Sequence, residues 1–232
     1  MSRSRSVAVC AFVAGPLLGM SLGASSALAA ACTTAPVGTY TASGFSCNVG
    51  PVTFSDIVLS TTTSGSGTVT LSQIAPFTTT VNGVTEYGLD LFYEANTGFS
   101  GGVADVGWSY NVSGVPSLTD AFASLDGNTT GADALVALTE TLATGGSGTV
   151  LKLTSAGTTS ATFAPYTGWL HVIKDQNDFA SEGSAAFSSI VGNAFSVGGI
   201  PEPSTWAMML LGFAGLGYAG FRGARKERLQ AI

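Results

Sequence analysis

Two stretches of strict alternation constrain the fold of this chain more than anything else in it. In Glu86–Tyr93 the residues Tyr87, Leu89, Leu91 and Tyr93 fall on one side. Ala104, Val106, Trp108, Tyr110 and Val112 repeat the pattern, with Asp105, Gly107, Ser109 and Asn111 opposite. A period of two fits a strand with one face against a core and no helix. Val52–Leu59, Gly67–Ile74, Gly148–Thr154, Thr158–Phe163, Gly168–Lys174 and Ser184–Val191 continue the series. Ala134–Leu142 is compatible with a helix, but Val136, Leu138, Thr139 and Thr141 favour a strand. Small polar stretches, such as Thr61–Gly67, read as turns. The expected fold is all-β, an antiparallel, jelly-roll-like β-sandwich. No fixed repeat length is present, which excludes a propeller or solenoid.

The two ends do not belong to that pattern. Arg3 and Arg5 precede an apolar run from Val7 to Leu22, and Ala27-Leu28-Ala29 is an A-x-A cleavage site. These are the parts of a secretory signal peptide, residues 1–29, removed after Ala29. Ala29 stands where a lipobox before Cys32 requires Leu, and Ser4 separates the two arginines, so neither lipidation nor a twin-arginine route is expected. Residues 30–199 form the sandwich domain, with Ser196–Ile200 as a short tether.

At the other end, Trp206–Phe221 carries no charge. As a helix it covers roughly 24 Å at 1.5 Å per residue, short against a hydrocarbon core of about 30 Å. Arg222, Arg225, Lys226 and Arg228 follow and place the C-terminus in the cytoplasm by the positive-inside rule. Pro201 and Pro203 resist helix and hold an extended segment just outside the membrane. Taken alone, these residues fit a plain transmembrane anchor as well as a processed one.

Pro201-Glu202-Pro203, Trp206-Ala207, the glycine-bearing span and the basic end together resemble the PEP-CTERM sorting signal in its PEPxxWA form, over residues 200–232. The resemblance implies recognition by exosortase, a membrane-embedded cysteine transpeptidase of Gram-negative bacteria. It implies cleavage near the motif after transient anchoring in the inner membrane, and delivery to the cell surface or the exterior. Pro201, Glu202 and Pro203 carry over as recognition residues. The domain also resembles a recurring type of exported PEP-CTERM protein, through Gly44–Gly50 with Phe54-Ser55-Asp56, and Leu170–Asp175 before Ser188-Ser189-Ile190. That type carries no assigned activity.

Charge and cysteine use agree with an exported domain. Between Cys32 and Gly199 twelve acids face two bases, Lys152 and Lys174, a net charge of −10. No basic patch exists to meet phosphates, which excludes nucleic-acid binding. Cys10 leaves with the signal. Cys32 and Cys47 remain for an oxidising compartment, where a bridge closing about 15 residues stabilises by roughly 3 kcal/mol.

Chemical sites are sparse. One histidine and two domain cysteines leave no zinc or iron–sulfur ligand set. Asp126-Gly127-Asn128-Thr129-Thr130-Gly131 matches the first half of a calcium loop, but Ala137 stands where the bidentate Glu belongs. An Asp-Gly turn explains it as well, and Asp175–Asp178 reads as a second oxygen-rich turn. His171 has no G-x-S-x-G partner for a triad. Glu86 and Asp90, a formal acid pair, fall on the polar face of their strand and read as solvated. Trp108 and Trp169 read as core aromatics, with sugar stacking as the alternative. The expected function is a non-enzymatic exported surface or matrix protein, associated with exopolysaccharide. The alternative is a carbohydrate-binding or adhesive module on the same tail. No cofactor is expected.

Overall fold

A computed structural model describes residues 29–143, 148–198 and 208–214. Near the N-terminus are β1 (Ala30–Ala31), β2 (Ala35–Pro36), a single helical turn α1 (Val37–Tyr40) and β3 (Ser46–Val49). The long strands follow: β4 (Val52–Gly65), β5 (Thr68–Val81), β6 (Val84–Asn96), β7 (Gly102–Gly114) and β8 (Leu118–Thr130). The remainder are β9 (Ala134–Ala143), β10 (Thr149–Leu153), β11 (Gly157–Tyr166), β12 (Leu170–Ala180) and β13 (Ala185–Phe195).

Two sheets face one another. Sheet A has seven strands in the order β1-β3-β4-β7-β12-β9-β10, and sheet B has six in the order β11-β8-β13-β6-β5-β2. Pairing is antiparallel apart from the short β1–β3 pair, which is parallel. The alternation in β7 is realised in full: Ala104, Val106, Trp108, Tyr110 and Val112 are all buried, and the residues between them are half-buried. Phe54, Trp108, Tyr110 and Phe195 pack as tilted rings at centroid distances of 5.0–6.3 Å. Ala134–Leu142 is a strand, paired with β12 along its length. Cys32 and Cys47 are joined by a disulfide, with Cα atoms 4.9 Å apart. Beside it Tyr40 donates to the Thr33 carbonyl at 2.8 Å and packs on Phe45.

Three expected turns differ. Thr61–Gly65 continues β4 and pairs from Thr61↔Val106 to Gly65↔Gly102, because a run of β-branched Thr and Ser suits a strand. Only Ser66 and Gly67 turn the chain, and a Cβ on Gly67 would stand 1.8 Å from the Val103 carbonyl oxygen. Asp126–Thr130 is the end of β8 rather than a turn or ion loop. Its buried residues include Ala121 and Ala123, poor strand formers whose phase is nonetheless regular. Asp175–Asp178 lies inside β12, paired on both sides. A tight two-residue hairpin stands instead at Asn82-Gly83 between β5 and β6, both at positive φ.

Residues 208–214 are helical. Among the described residues no helix is long and apolar enough to cross a membrane. Most of the expected span, 206–221, lies outside them, as do residues 1–28 with the expected signal peptide.

Candidate functional site

The outer face of sheet B carries a shallow hollow of about 650 Å³. Its floor follows from one glycine. Gly192 of β13 pairs with Asp90 of β6 on one side and Ser124 of β8 on the other. A Cβ there would lie 2.4 Å from both Asp90 Oδ1 and Ser124 Oγ, so only Gly lets these two polar groups converge. Phe77 and Phe122, both half-buried, flank them. Ile190 is shared with a neighbouring hollow of about 410 Å³, lined also by Phe92, Glu94 and Phe187. Burial pushes the Asp90 carboxyl up to about 6, opposed by Lys174 from the inner side of the sheet. Among the described residues, those lining both hollows include Asp90, Asp126 and Glu94 and no cation. Ring faces beside acid and hydroxyl groups suit a neutral hydroxylated ligand and repel polyanions.

The outer face of sheet A carries a second arrangement. His171 Nδ1 lies 2.9 Å from Asn111 Oδ1, and Asn111 Nδ2 donates to Asp56 Oδ2 at 2.8 Å. Asp56 sits in a β-bulge at φ +53°, a conformation uncommon outside Gly. Trp169 is 47% exposed and shares this surface with Ile173. The expectation that both tryptophans are core residues therefore holds for Trp108 and fails for Trp169, which precedes β12 rather than lying in its inward phase. Farther along the same face, burial and the nearby Asp175 push Asp105 up to about 6.

Between the sheets lies a polar network. Lys174 of β12 is flanked in register by Glu140 of β9 and Trp108 of β7. Lys174 Nζ stands 2.9 Å from Glu140 Oε2, donates to the Gly192 carbonyl at 2.8 Å and lies 5.8 Å from the Trp108 ring centroid. Asn193 Nδ2 donates to Glu140 Oε1 at 3.0 Å and to the Phe122 carbonyl at 2.7 Å, and Tyr110 donates to Asn193 Oδ1. Burial pulls both Glu140 and Lys174 toward their neutral forms, Glu140 upward and Lys174 downward, while each opposes this in the other. Two inward positions along β12, Asp178 accepts from Gln176 at 2.6 Å and from Ser188 at 2.9 Å, with Tyr93 donating to Ser188.

Glu86, expected in solvent, is 1% exposed. It keeps the outer phase of β6 with Gly88 and Asp90, opposite the inward Leu89 and Leu91, yet it is covered, and desolvation reinforced by Asp120 pushes its carboxyl up to about 7. The signal for the interior polar residues was present in the sequence. Glu140 is in phase with Val136, Leu138 and Leu142, and Lys174 with Leu170 and Val172.

Among the expected site residues, Pro201, Glu202, Pro203, Trp206, Arg222, Arg225, Lys226, Arg228 and Ala27 lie outside the described residues. Ala29 is the first described residue, and its carbonyl accepts from Asn48 Nδ2 at 3.0 Å. Among the described residues no three ligand-type side chains gather as for a metal. Asp126 accepts from Ser189 Oγ at 3.3 Å.

No curated protein matches the chain by sequence. Among solved structures, TmCBM61 in complex with β-1,4-galactotriose is similar at a TM-score of 0.30 and 10% identity, over 58% of this chain and 86% of that one. The enzymatically active domain of bacteriophage CBA120 tailspike protein 4 gives 0.25 and 11%, over 59% and 19%. A family 11 carbohydrate-binding module from Clostridium thermocellum, in complex with a β-1,3-1,4-mixed-linked tetrasaccharide, gives 0.22 and 11%, over 60% and 89%. At such scores the likeness says nothing about what this chain binds. The sequence match is of another kind and lies at the tail: residues 199–226 fit the family model of the PEP-CTERM protein-sorting motif, and the chain carries that motif behind its β-sandwich.

Proposed function

We propose that this chain is a non-enzymatic protein of the bacterial surface or extracellular matrix, exported behind a signal peptide and processed by exosortase. The observation that carries the reading is the sorting motif at residues 199–226, which begins four residues after β13 ends at Phe195. In this reading Trp206–Phe221 holds the chain transiently in the inner membrane, and the Pro-Glu-Pro segment presents the scissile region. The test replaces Pro201, Glu202 and Pro203 by alanine in a host that has exosortase. Wild-type protein is expected outside the cell without its basic tail, and the variant uncut in the inner membrane. Extracellular wild-type protein that keeps Arg225 and Lys226 would overturn the reading.

A second reading concerns the domain after delivery: a jelly-roll-like module that holds a neutral polysaccharide against the outer face of sheet B. It is favoured by Phe77, Phe122 and Asp90 around the Gly192 floor. Carboxylates accept sugar hydroxyls and aromatic rings take the apolar faces of the sugar. Retention on insoluble neutral polysaccharides, lost on Phe77→Ala and Phe122→Ala while the fold is kept, is the expected result. Equal retention of wild type and both variants refutes it.

A further inference from the structure

Three buried side chains in the interior network have the composition and placement for a covalent reaction with one another. Lys174 belongs to sheet A and Asn193 to sheet B, and Glu140 holds both on one carboxyl group. Its Oε2 is 2.9 Å from Lys174 Nζ and its Oε1 is 3.0 Å from Asn193 Nδ2. Nζ is also tied at 2.8 Å to the carbonyl of Gly192, the residue just before Asn193. Lys174, Glu140 and Asn193 are each at most 1% exposed. Trp108, Tyr110, Phe54 and Phe195, all fully buried, belong to the core around them.

We propose that Lys174 and Asn193 form an intramolecular isopeptide bond across the two sheets, with Glu140 as the proton carrier and Tyr110 as the donor to the developing oxyanion. Nζ passes a proton to Oε2 of Glu140 and, as the neutral amine, attacks Cγ of Asn193. The carbonyl electrons move onto Oδ1, where the Tyr110 hydroxyl already donates. Glu140 delivers its proton to Nδ2 and takes a second from Nζ. The Cγ–Nδ2 bond breaks, the carbonyl reforms and ammonia leaves. One C–N bond forms and one breaks, nothing is oxidised or reduced, and Glu140 ends protonated. The dry site favours this chemistry, because burial brings a lysine and a carboxylic acid toward the neutral forms that the attack requires. Held groups replace the encounter of two reactants, the largest single advantage of an intramolecular reaction. The bond would link β13, the last strand before the sorting tail, to the centre of the opposite sheet.

The experiment uses the full chain isolated from its producing cells. The protein is reduced, to take the Cys32–Cys47 bridge out of account, then denatured, digested with chymotrypsin and mapped by mass spectrometry. The expected result is one branched peptide joining the Lys174 and Asn193 fragments, lighter than their sum by one ammonia. Glu140→Gln preserves the size of the side chain and is expected to fold, by near-ultraviolet circular dichroism, with the two fragments recovered separately. Lys174→Met provides a second uncrosslinked chain if Glu140→Gln fails to fold. Folded wild-type protein that yields a free Lys174 amine and an intact Asn193 amide overturns the proposal. So does Asn193 converted to aspartate without a link, or a folded Glu140→Gln chain that is linked as fully as wild type.

Discussion

Replacing Glu86 by glutamine separates the cost of one buried charge from everything else in the sandwich. Glu86 is 1% exposed, and among the described residues its Oε2 has no hydrogen-bond partner. Burial first, then the Asp120 charge, raises its carboxyl from 4.5 to about 7. An acid with a raised native pKa binds protons more tightly folded than unfolded. Stability is therefore greatest when the group is protonated in both states, and it falls as pH rises from the unfolded value through the native one. At about 1.4 kcal/mol per pH unit, the full shift corresponds to a ceiling of about 3 kcal/mol. Glu86 is only the third residue of β6, near the rim of the sheet, and solvent relaxation there reduces the figure. The working value is about 1–2 kcal/mol.

Glutamine keeps the shape and cannot ionise. In urea unfolding, Glu86→Gln is expected to match wild type to within about 0.5 kcal/mol near pH 4.5, and to exceed it by about 1–2 kcal/mol near pH 8. By thermal scan the gain near pH 8 is about 3–6 °C. Asp90, Asp105 and Asp178, each raised to about 6 chiefly by burial, add a decline of the same sign to both proteins and cancel in the difference. A stability difference that is the same at both pH values, or one that shrinks as pH rises, would refute the reasoning.

Other substitutions probe packing and the N-terminal staple. Gly88→Ala places a Cβ 2.2 Å from the Asn193 carbonyl oxygen and 2.7 Å from Ala194 Cβ, and is expected to cost about 1–3 kcal/mol by urea unfolding. A cost below 0.5 kcal/mol would mean that β6 and β13 separate easily. Cys32→Ser, read against Cys47→Ser, is expected to lower stability by about 3 kcal/mol without reductant. In the presence of dithiothreitol the wild type is expected to fall to the level of either variant. Trp108→Ala removes a side chain 1% exposed at the centre of the aromatic cluster and is expected to cost about 3–5 kcal/mol, scored as a lower denaturant midpoint with an unchanged slope.

Strand content was legible because the core of each sheet is made of residues whose preference and phase agree. β7 and β6 place Trp, Tyr, Leu and Val inward, and β9 does the same against a composition that also fits a helix. Legibility fails where preference and phase disagree. Inward-facing Ala121 and Ala123 carry little strand signal, so β8 reads as irregular until its neighbours β11 and β13 are seen to pair with it. Asp-Gly and Asp-Gln-Asn-Asp read as turns because those residues favour turns in isolation. Inside a sheet, hydrogen bonding to two neighbours outweighs a preference worth a few tenths of a kcal/mol. The pairing order of the strands, and hence which residues meet across the sandwich, depends on contacts far apart in sequence and has no local signature.

The interior polar groups follow from the same logic. A strand buried on one face must give its inward positions to something, and β12 gives three in succession to Lys174, Gln176 and Asp178. Hydrophobic residues of similar volume would stabilise the sandwich as well or better, since desolvating an ion pair consumes most of what the pair returns. A core that keeps Lys, Glu and Asn at its centre therefore gains something other than ordinary stability. Conformational specificity is one gain, because each donor has its acceptor on a particular strand and a slipped register would strand a charge in the interior. The cross-link is the other, and the two separate in one comparison. Lys174→Met with Glu140→Leu removes both charges and leaves apolar volume. If the polar trio serves register alone, the double variant retains equilibrium stability and loses uniqueness of packing, read as broadened amide spectra. If the trio also forms the bond, the double variant, but not wild type, comes apart between β12 and β13 when the denatured chain is digested. Broadened spectra with identical digestion patterns would leave register as the whole account.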